Sequence, residues 1–444
     1  MQQLSGWGRF PKLKTRLEAP RDASDLAQLV ATGAPLIARG NGRAYGDSAI
    51  GPQAGATVHM RHFNHLQAFD EETGQLIAEA GVSLGEIIEA FLPRGWFPAV
   101  TPGTKYVTLG GAIAADVHGK NHHRDGSFAS CVDWIELLGP EGQTIRTSRT
   151  ENPDLFHWTT GGMGLTGIIT RAAIRLRPIE SAWIRQTTIP AADLGAAMAA
   201  FEEADDATYS VAWIDCLAQG RALGRSLVML GEHASAAELP KGRRRHPLQI
   251  PAKTKRRFPV DLPGFALNRL TVGAFNALYY RKGCRNSGDS FVDWDTYFYP
   301  LDAILGWNRI YGRKGFTQFQ CALPLDSSEA GLRAILKATG LAGAGSFLAV
   351  LKRFGPQQSR FSFPMAGYTL ALDFPMNART LRLLQRLDEI TLEHGGRFYL
   401  AKDARMQADT LRRSDPRVAA FETMRAETGA AAQLRSAQSD RLAL

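Results

Sequence analysis

Three glycine-rich stretches constrain this 444-residue chain more than any other feature. They are GNGRAYGDS from Gly40, PGTKYVTLGGAIAADVHGKN from Pro102 and GGMGLTGII from Gly161. A glycine has no side chain and accepts positive backbone dihedrals, so successive glycines let amide N–H groups close around a diphosphate. One such loop is common, whereas three, followed by a lone AKDAR segment near the carboxyl end, predict a pocket for a flavin dinucleotide.

The third stretch also spells G-x-G-x-x-G at Gly162, Gly164 and Gly167, the fingerprint of nicotinamide-binding Rossmann units. That fingerprint needs a strand before it and a helix after it. Here the helical pattern NPDLFHW precedes it and the strand-like IITRAAIRLRP follows, so we reject the Rossmann interpretation. The sequence has no G-x-S-x-G elbow or Walker loop, and the hydrolase and phosphotransferase classes therefore lose support.

Length and composition favour two domains in a cytoplasmic protein. A chain of this length exceeds what one hydrophobic core usually serves. The first twenty residues lack the apolar core of a signal peptide, and no apolar run is long enough to span a bilayer. Cys131, Cys216, Cys284 and Cys321 are scattered without C-x-x-C spacing, which predicts reduced thiols rather than a zinc site.

Positive charge is concentrated in one segment. The net charge is +9, and residues 241–257 hold eight Lys and Arg residues and no acid. Such a segment attracts a lipid surface, a phosphate or nucleic acid, although a merely solvated loop is the alternative. Pro247 and Pro251 predict that it stays out of the core, and the lack of interleaved aromatic residues disfavours single-stranded nucleic acid.

Local patterns predict an α+β chain whose second domain begins after Pro178. Ser24 is expected to cap a helix through Thr32, and Ser83 with Glu86 forms a capping box. The stretch CVDWIELLGPEGQTIRT predicts a hairpin turned at residues 139–142. Later strands are expected at SVAWIDCL, GFTQFQCALP, SFLAVLKRFG and YTLALDFP, then a helix with a stripe at residues 383–390, and the strand RFYLAK ending near Lys402.

Four polar residues on predicted strands are candidates for chemistry. Gln318 and Gln320 share one face of FTQFQCA, where they would bind a polyhydroxyl substrate or, alternatively, face solvent. Lys402 follows apolar and aromatic neighbours, and burial there would lower its pKa toward a catalytic value. Most lysines are surface residues, however, and the same alternatives hold for Lys352 on its apolar strand.

Three imidazoles lie within six positions, at His118, His122 and His123. They raise a metal hypothesis, but no nearby Cys or carboxylate gives a recognisable ligand spacing, and Gly119 interrupts a helical presentation. We expect no metal and favour hydrogen bonding as the role of these side chains.

The motifs ARGNGRAYGDS, VTPGTKYVTLGGAIAADVHGKNHH, GGMGLTGII, PLDAILGWNRIYG, KRFGP, LDFP and YLAKDAR occur in the order of a known family. With them the chain resembles the decaprenylphosphoryl-β-D-ribose 2-oxidases, FAD-linked oxidoreductases of the vanillyl-alcohol-oxidase fold with a PCMH-type FAD domain. The resemblance runs from Gly6 to the terminal RLAL. It implies an α+β fold in which residues 1–182 and 397–444 form the FAD domain and residues 183–396 form an antiparallel-sheet substrate domain.

The resemblance also assigns roles to residues. It implies Lys402 and His118 as catalytic, and Gln318, Gln320, Lys352, Trp213, Phe298 and Thr369 as lining the substrate pocket. The cofactor-binding residues that it implies are Ala38, Arg39, Gly40, Asn41, Gly42, Arg43, Ala44, Tyr45, Gly46, Asp47, Ser48, Gly103, Thr104, Thr108, Leu109, Gly110, Gly111, Ala115, Asp116, Val117, His118, Gly164, Gly167, Ile169 and Tyr399.

Some positions depart from relatives. Several members of the wider fold attach FAD through a histidine in the first glycine loop, whereas Arg43 and Tyr45 stand in this loop, so we expect non-covalent FAD. Phe298 replaces a tyrosine and Thr369 an asparagine of the family pocket. Ala371 stands where mycobacterial members carry a cysteine, so thiol-trapping inhibitors should not label the site.

The resemblance implies oxidation of the 2-hydroxyl of a polyprenylphosphoryl-β-D-ribofuranose to a ketone. An NAD-dependent keto-reductase partner would then complete an epimerisation to the arabinose donor, at the cytoplasmic face of an anionic membrane. Two rival hypotheses stay open: an aldonolactone or alditol oxidase acting on a free sugar, and a non-enzymatic binder of anionic surfaces or nucleic acid.

Overall fold

The computed structural model of the protein describes residues 1–263, 267–346 and 348–444. These residues form twenty strands, which are arranged in four sheets. The first sheet has the order β1-β2-β4-β3, with β2 and β3 both parallel to β4. The first glycine stretch begins at Gly40, directly after the last residue of β3. The strands are β1 (Gln2–Leu4), β2 (Leu13–Glu18), β3 (Leu36–Arg39) and β4 (Ala56–His59).

The second sheet is antiparallel and is built around one long strand, β10, which follows the third glycine stretch. β10 pairs with β6, β7 and β8, and β8 with β9 forms the hairpin predicted around residues 139–142. The strands are β5 (Leu66–Asp70), β6 (Gln75–Glu79), β7 (Trp96–Pro98), β8 (Val132–Leu138), β9 (Thr144–Ser148) and β10 (Ile168–Pro178).

The third sheet is the largest, with eight antiparallel strands in the order β15-β11-β13-β12-β18-β19-β17-β20. A short parallel ribbon, β14 with β16, lies outside it. The strands are β11 (Trp183–Ala191), β12 (Tyr209–Ile214), β13 (Ser226–His233), β14 (Arg256–Arg257), β15 (Gly288–Asp293), β16 (Ile304–Leu305), β17 (Phe316–Pro324), β18 (Ala349–Phe354), β19 (Gly367–Pro375) and β20 (Arg397–Phe398). The prediction for β18 began at Ser346, and its Phe347 lies outside the described residues.

The two faces of this large sheet have different chemistry because side chains alternate along each strand. Phe319, Cys321 and Leu370 point into the largest core cluster, which also contains residues of two long helices, α10 (Leu325–Ala342) and α11 (Ala378–Glu393). Gln318 and Gln320 point to the other face, as their spacing predicted, and both are buried there. The alternative of a solvated sheet face is therefore wrong.

The described ranges also contain fifteen α-helices, of which the last four follow the final strand. They are α1 (Ala23–Ala31), α2 (Leu84–Phe91), α3 (Leu109–Ala114), α4 (His122–Asp125), α5 (Pro153–Thr159), α6 (Leu194–Glu203), α7 (Lys241–Arg244), α8 (Arg269–Arg285), α9 (Trp294–Phe298), α10 (Leu325–Ala342), α11 (Ala378–Glu393), α12 (Ala408–Ser414), α13 (Val418–Glu427), α14 (Ala430–Gln433) and α15 (Ala437–Leu442). Among the described residues, no helix combines the length and apolar character needed to cross a membrane.

Two local predictions are confirmed and one is wrong. The capping box of Ser83 and Glu86 begins α2, and the apolar stripe at residues 383–390 is buried in α11. The cap of α1, however, is Asp22 rather than Ser24. The Asp22 carboxylate accepts a hydrogen bond from the Asp25 amide at 2.9 Å, because extended backbone at residue 22 lets the helix start two residues earlier than predicted.

The strand RFYLAK is also shorter than predicted. β20 ends at Phe398, and the chain then turns, with the Lys402 amide donating to the Tyr399 carbonyl at 2.9 Å. The period-two pattern of the sequence does not reveal this turn because its residues are as buried as those of the strand. Lys402 therefore lies in a turn rather than at a strand end.

The carboxyl-terminal helices return to the first sheet and to the first glycine stretch. The Arg435 amide donates to the Leu36 carbonyl at 2.9 Å. Arg441 donates to Asp47 at 2.7 Å and to Asp403 at 2.9 Å, and both carboxylates are almost fully buried. One guanidinium thus joins the end of the first glycine stretch to the residue after Lys402.

We predict that Arg441→Met lowers the free energy of unfolding by about 3–5 kcal/mol, because it leaves two buried carboxylates without their cation. Urea unfolding followed by tryptophan fluorescence measures the change. Arg386→Ala is the matched control, since the Arg386–Glu393 pair is exposed and its loss is worth at most about 1 kcal/mol. Equal effects of the two substitutions would contradict a structural role for Arg441.

Candidate functional site

A cavity of about 510 Å³ lies between the glycine stretches and the polar face of the large sheet. One wall consists of loop residues from all three glycine stretches, and the opposite wall comes from β17, β18 and β19. The turn after β20 contributes Lys402. The three separate sequence motifs therefore meet at one place, as predicted.

Most residues that the resemblance assigns to the site line this cavity. They are Ala38, Gly40, Asn41, Gly42, Arg43, Ala44, Tyr45, Ser48, Gly103, Thr104, Thr108, Gly110, Gly111, Ala115, Val117, His118, Gly164, Gly167, Ile169, Gln318, Gln320, Lys352, Thr369, Tyr399 and Lys402.

Five residues expected at the cofactor lie behind the cavity wall instead: Arg39, Gly46, Asp47, Leu109 and Asp116. Arg39 donates to the Ser5 and Ala49 carbonyls, and Asp116 accepts from the Ala129 amide at 2.8 Å. A Cβ at Gly46 would stand 2.0 Å from the Asp403 carbonyl oxygen. These residues hold the loops from outside.

Two residues expected at the substrate also lie outside the cavity wall. The Trp213 ring packs at 4.8 Å from the Tyr279 ring of α8. Phe298 belongs to an aromatic cluster with Phe97 and Tyr209, at 5.2 and 5.0 Å between ring centroids. Both side chains are apolar and buried, and packing accounts for their positions.

The first glycine stretch presents free amides to the cavity. Gly42 has a φ of +61°, which a residue with a side chain adopts only under strain. The backbone N–H groups of residues 42–44 donate to no acceptor in the described part of the chain. These residues are half-buried at the cavity, and a run of unpaired amides there fits an anionic ligand such as a diphosphate.

The second glycine stretch is fastened to the β16 segment through Asp302. The Asp302 carboxylate accepts from the Lys105 amide at 2.9 Å and from the Thr104 hydroxyl at 3.1 Å. Burial raises the pKa of Asp302, and these donors oppose that effect. A Cβ at Gly103 would meet no heavy atom within 4 Å, so this part of the wall leaves room for a ligand.

Several wall residues were missed by the sequence analysis. Trp7 and Tyr106 sandwich the Arg43 guanidinium at 4.5 and 4.8 Å from their ring centroids. Asp302 and Trp307 come from PLDAILGWNRIYG, which supported the resemblance although no individual residue of it was assigned. Asp302 is the single carboxylate of that motif, which is the signal that would have identified it.

His118 is a neutral imidazole fixed by Gln320. The Gln320 amide donates to His118 Nε2 at 3.0 Å and to the Thr369 hydroxyl at 3.2 Å, and that hydroxyl donates to the Cys321 carbonyl. Nε2 is therefore an acceptor, and the ring proton is on Nδ1, which has no partner in the described chain. Burial lowers the pKa of His118 well below its usual value, and the nearby Lys352 charge adds to this.

Lys402 is a cation in a largely apolar setting. Its ammonium group lies 3.8 Å from the centroid of the Tyr45 ring. Burial lowers the pKa of Lys402 from 10.5 to about 7, opposed by Asp373 and reinforced by Lys352. The interpretation of Lys402 as a surface lysine is thus wrong, and its amine titrates near neutral pH.

Lys352 and Asp373 complete the polar face of the sheet. Burial lowers the pKa of Lys352 to about 8, and burial raises the pKa of Asp373. Asp373 accepts a hydrogen bond from Gln318 at 2.5 Å, which leaves one of its oxygens without a partner in the described chain. Lys352, Lys402 and Asp373 therefore lie close to the neutral His118 at the polar face of the sheet.

The three histidines of the HGKNHH run have separate partners. His118 contacts Gln320, His122 Nε2 lies 2.7 Å from Gln357, and His123 Nε2 lies 2.7 Å from the Ala207 carbonyl. Within the described residues, no group of three or more potential ligands is arranged for a metal ion. Hydrogen bonding accounts for all three side chains.

The basic segment at residues 241–257 contains no buried residue and so stays out of the core, as predicted, but it is held against the protein rather than being merely solvated. Leu248 and Ile250 pack against an apolar cluster, and the Ala182 amide donates to the Pro247 carbonyl. Lys255 donates to the Tyr106 hydroxyl at 2.8 Å. The two apolar residues between the basic groups explain the difference, and they place Lys255 beside the cavity wall.

The chain matches the FAD binding domain family over residues 16–148. It is 36% identical over 428 residues to a decaprenylphosphoryl-β-D-ribose oxidase of Mycolicibacterium smegmatis, covering 94% of this chain and 92% of that protein. It is 34% identical to an uncharacterized protein in the mprA 5′ region of Streptomyces coelicolor, over 78% of this chain and 95% of that one. A cytokinin dehydrogenase of Arabidopsis thaliana is 31% identical over only 37% of this chain and 33% of its own length. The resemblance seen in the motifs is confirmed.

We predict that Gly103→Leu weakens FAD binding by at least about tenfold, or 1.4 kcal/mol, because its side chain would occupy the open part of the glycine wall. Fluorescence titration of the apoprotein with FAD measures the dissociation constant, and a thermal melt of the apoprotein checks that folding is unchanged. Gly242→Leu is the control, since a Cβ at Gly242 also meets no atom within 4 Å but α7 does not line the cavity. Unchanged FAD affinity in Gly103→Leu would contradict this location for the diphosphate.

Proposed function

The chain belongs to the FAD-linked decaprenylphosphoryl-β-D-ribose oxidase family, and from this premise we propose that it oxidises the 2-hydroxyl of a polyprenylphosphoryl-β-D-ribofuranose to a ketone. FAD is the cofactor. When bound, FAD supplies the acceptor for the hydride that leaves the sugar carbon. We propose that it is held without a covalent bond, because Arg43 and Tyr45 stand in the first glycine stretch, which contains no histidine.

One observation carries this proposal: unpaired backbone amides of the first glycine stretch and a half-buried lysine of lowered pKa line the same cavity. The amides suit the diphosphate of the cofactor, and the lysine with its glutamine neighbours suits a sugar hydroxyl. A hydroxyl oxidation needs a base for the O–H proton and a wall that holds the carbon in place.

Lys402 is the proposed base. As the neutral amine, its Nζ accepts the hydroxyl proton when the C–H bond breaks, and the resulting ammonium is stabilised by the Tyr45 ring and the charge of Asp373. Gln320 is held by His118 and Thr369 through its amide nitrogen, so its carbonyl oxygen is left to accept from a second sugar hydroxyl. His118 donates from Nδ1 to a ligand oxygen.

The remaining residues suit a phosphate and its lipid. We propose that the anomeric phosphate meets the basic groups beside the wall, among them Lys255, and that the polyprenyl chain leaves the cavity past the apolar β16 segment. The product ketone requires a separate NAD-dependent reductase to complete an epimerisation, and the enzyme acts as a peripheral protein at the cytoplasmic face of the membrane. None of these steps involves nucleic acid.

We propose the same division into domains that the sequence indicated, with residues 1–182 and 397–444 holding FAD and residues 183–396 holding the substrate. The match to the FAD binding domain falls within the first of these ranges. Contacts of Arg435 and Arg441 with the first sheet and with Asp47 support the carboxyl-terminal return. β20 links the two proposed domains, because it is the first element of the carboxyl-terminal segment 397–444 and also pairs with β17 of the substrate domain.

Anaerobic titration of the purified protein tests the activity. In the wild type, polyprenylphosphoryl ribose is expected to bleach the absorbance band of the oxidised flavin at about 450 nm. The Lys402→Met variant is expected to retain bound FAD but to show no bleaching. Free ribose, aldonolactones and alditols serve as rival substrates. Bleaching by a free sugar as efficient as by the lipid-linked one would establish the alditol-oxidase alternative, and undiminished bleaching in Lys402→Met would remove Lys402 from the reaction.

We predict that the rate of this bleaching rises with pH through about 7 and then levels off, because only the deprotonated amine of Lys402 accepts a proton. Stopped-flow measurement of flavin bleaching from about pH 5.5 to about pH 9 gives the dependence of the rate on pH. In Lys352→Met the midpoint should move upward, because that substitution removes a positive charge that lowers the pKa of Lys402. A flat profile would contradict a proton-accepting lysine.

A further inference from the structure

The exposed face of α8, which lies outside the cavity, carries large apolar side chains. Five large apolar side chains are exposed between residues 260 and 304, namely Val260, Leu270, Leu278, Tyr279 and Ile304. Leu270 is 83% exposed and Leu278 is 65% exposed, both on α8. Single exposed leucines are ordinary, but a concentration of them on one helix marks a binding surface.

The residues of α8 divide into two faces. At about 100° per residue, positions 270, 274, 277, 278, 281 and 285 fall within an arc of roughly 100°, and all are exposed. The other side is anchored: Asn276 donates to Asp215 at 2.6 Å, and the Tyr280 hydroxyl donates to the Ala191 carbonyl. The helix is therefore fixed to the sheet with Leu270 and Leu278 turned outward.

α8 lies on the cavity side of the large sheet. Trp213 pairs with Val350, so their side chains share one face, and Val350 lines the cavity. The Tyr279 ring of α8 packs on Trp213, and a Cβ at Gly283 would stand 2.2 Å from Leu227 of the neighbouring strand. α10 and α11 contribute instead to the core cluster on the opposite face.

The charge around α8 is strongly one-sided. Residues 241–285 contain twelve Lys and Arg residues and a single carboxylate, Asp261, which is paired with Arg9 and Arg309. The basic strand β14 pairs with β16, whose Ile304 is exposed and lines the cavity. Basic and apolar groups thus surround one side of the cavity.

We propose that the outer face of α8, with the basic residues of 241–257, docks on an anionic lipid bilayer. The helix lies in the plane of the interface, with Leu270 and Leu278 among the acyl chains and Arg281 and Arg285 at the lipid phosphates. This orientation turns the Ile304 side of the cavity toward the source of the lipid-linked sugar, and in that respect it rests on the proposed function. A second copy of the chain does not suit this surface, because the two sets of positive charges would repel each other.

Vesicle co-sedimentation tests the proposal. The FAD-loaded protein is expected to bind phosphatidylcholine vesicles that contain phosphatidylglycerol, to bind pure phosphatidylcholine weakly, and to be released by salt. The double variant Leu270→Glu/Leu278→Glu should bind the anionic vesicles about tenfold more weakly. Leu381→Glu is the matched control, since Leu381 is an exposed leucine of α11 on the far side of the sheet, and it should bind as the wild type does.

Bound FAD and thermal stability should be unchanged in the double variant, because neither leucine lines the cavity or packs in the core. Equal vesicle binding by the double variant and the wild type would overturn the proposal. So would a wild-type dimer that the double variant dissociates, because the leucines would then be covered by a second copy. Vesicle binding is measured without substrate, whereas the bleaching of the flavin is measured with a short-chain soluble substrate, so a failure of the activity is distinguished from a failure of docking.

Discussion

The contact of Arg441 with Asp47 and Asp403 is the constraint on which the geometry of the site depends. Asp47 belongs to the first glycine stretch and lies behind the cavity wall, between the lining residues Tyr45 and Ser48, and Asp403 follows Lys402. Burial alone would lower the pKa of Arg441, but the two carboxylates raise it above its ordinary value, and the Arg441 charge in turn keeps the pKa of Asp403 low despite burial. Because the two segments are separated by more than three hundred residues of sequence, no local preference brings them together. One ion-pair network therefore sets the position of Lys402 relative to the amides that face it.

This arrangement has an electrostatic consequence. Lys402 and Lys352 are both buried at the cavity, and Asp373 is the carboxylate that opposes their charge on the polar face of the sheet. Burial lowers the pKa of both lysines, and the Lys352 charge lowers the pKa of Lys402 further, which makes the Lys402 amine available in its neutral form near pH 7. Neutral His118 fits the same balance, because a third positive charge there would be strongly unfavourable.

Some of this site could be predicted from sequence because its determinants are local. The glycine stretches depend on backbone dihedrals, the cap of α2 on residues three apart, and the shared face of Gln318 and Gln320 on the period of a strand. The turn after Phe398 was not predictable, because its buried residues resemble a strand and it is fixed by distant contacts. Asp302 and Trp7 were missed for the same reason: each reaches the cavity only after the whole chain has folded.

The positions of Phe298, Thr369 and Ala371, which differ from the family pattern, indicate what each difference changes. Phe298 lies in an aromatic cluster behind the wall, so the loss of a tyrosine hydroxyl at that position changes packing rather than the polar surface that a sugar meets. Thr369 does line the cavity, and its hydroxyl both accepts from Gln320 and donates to the Cys321 carbonyl. A change at residue 369 would therefore act on substrate through the orientation of Gln320. Ala371 faces the cavity directly opposite Gln320 on β17, so residue 371 offers no thiol to a thiol-trapping inhibitor. Of the three departures, the two that line the cavity, at residues 369 and 371, therefore lie on β19, whereas the proposed base Lys402 and the proposed sugar ligand Gln320 lie on other elements.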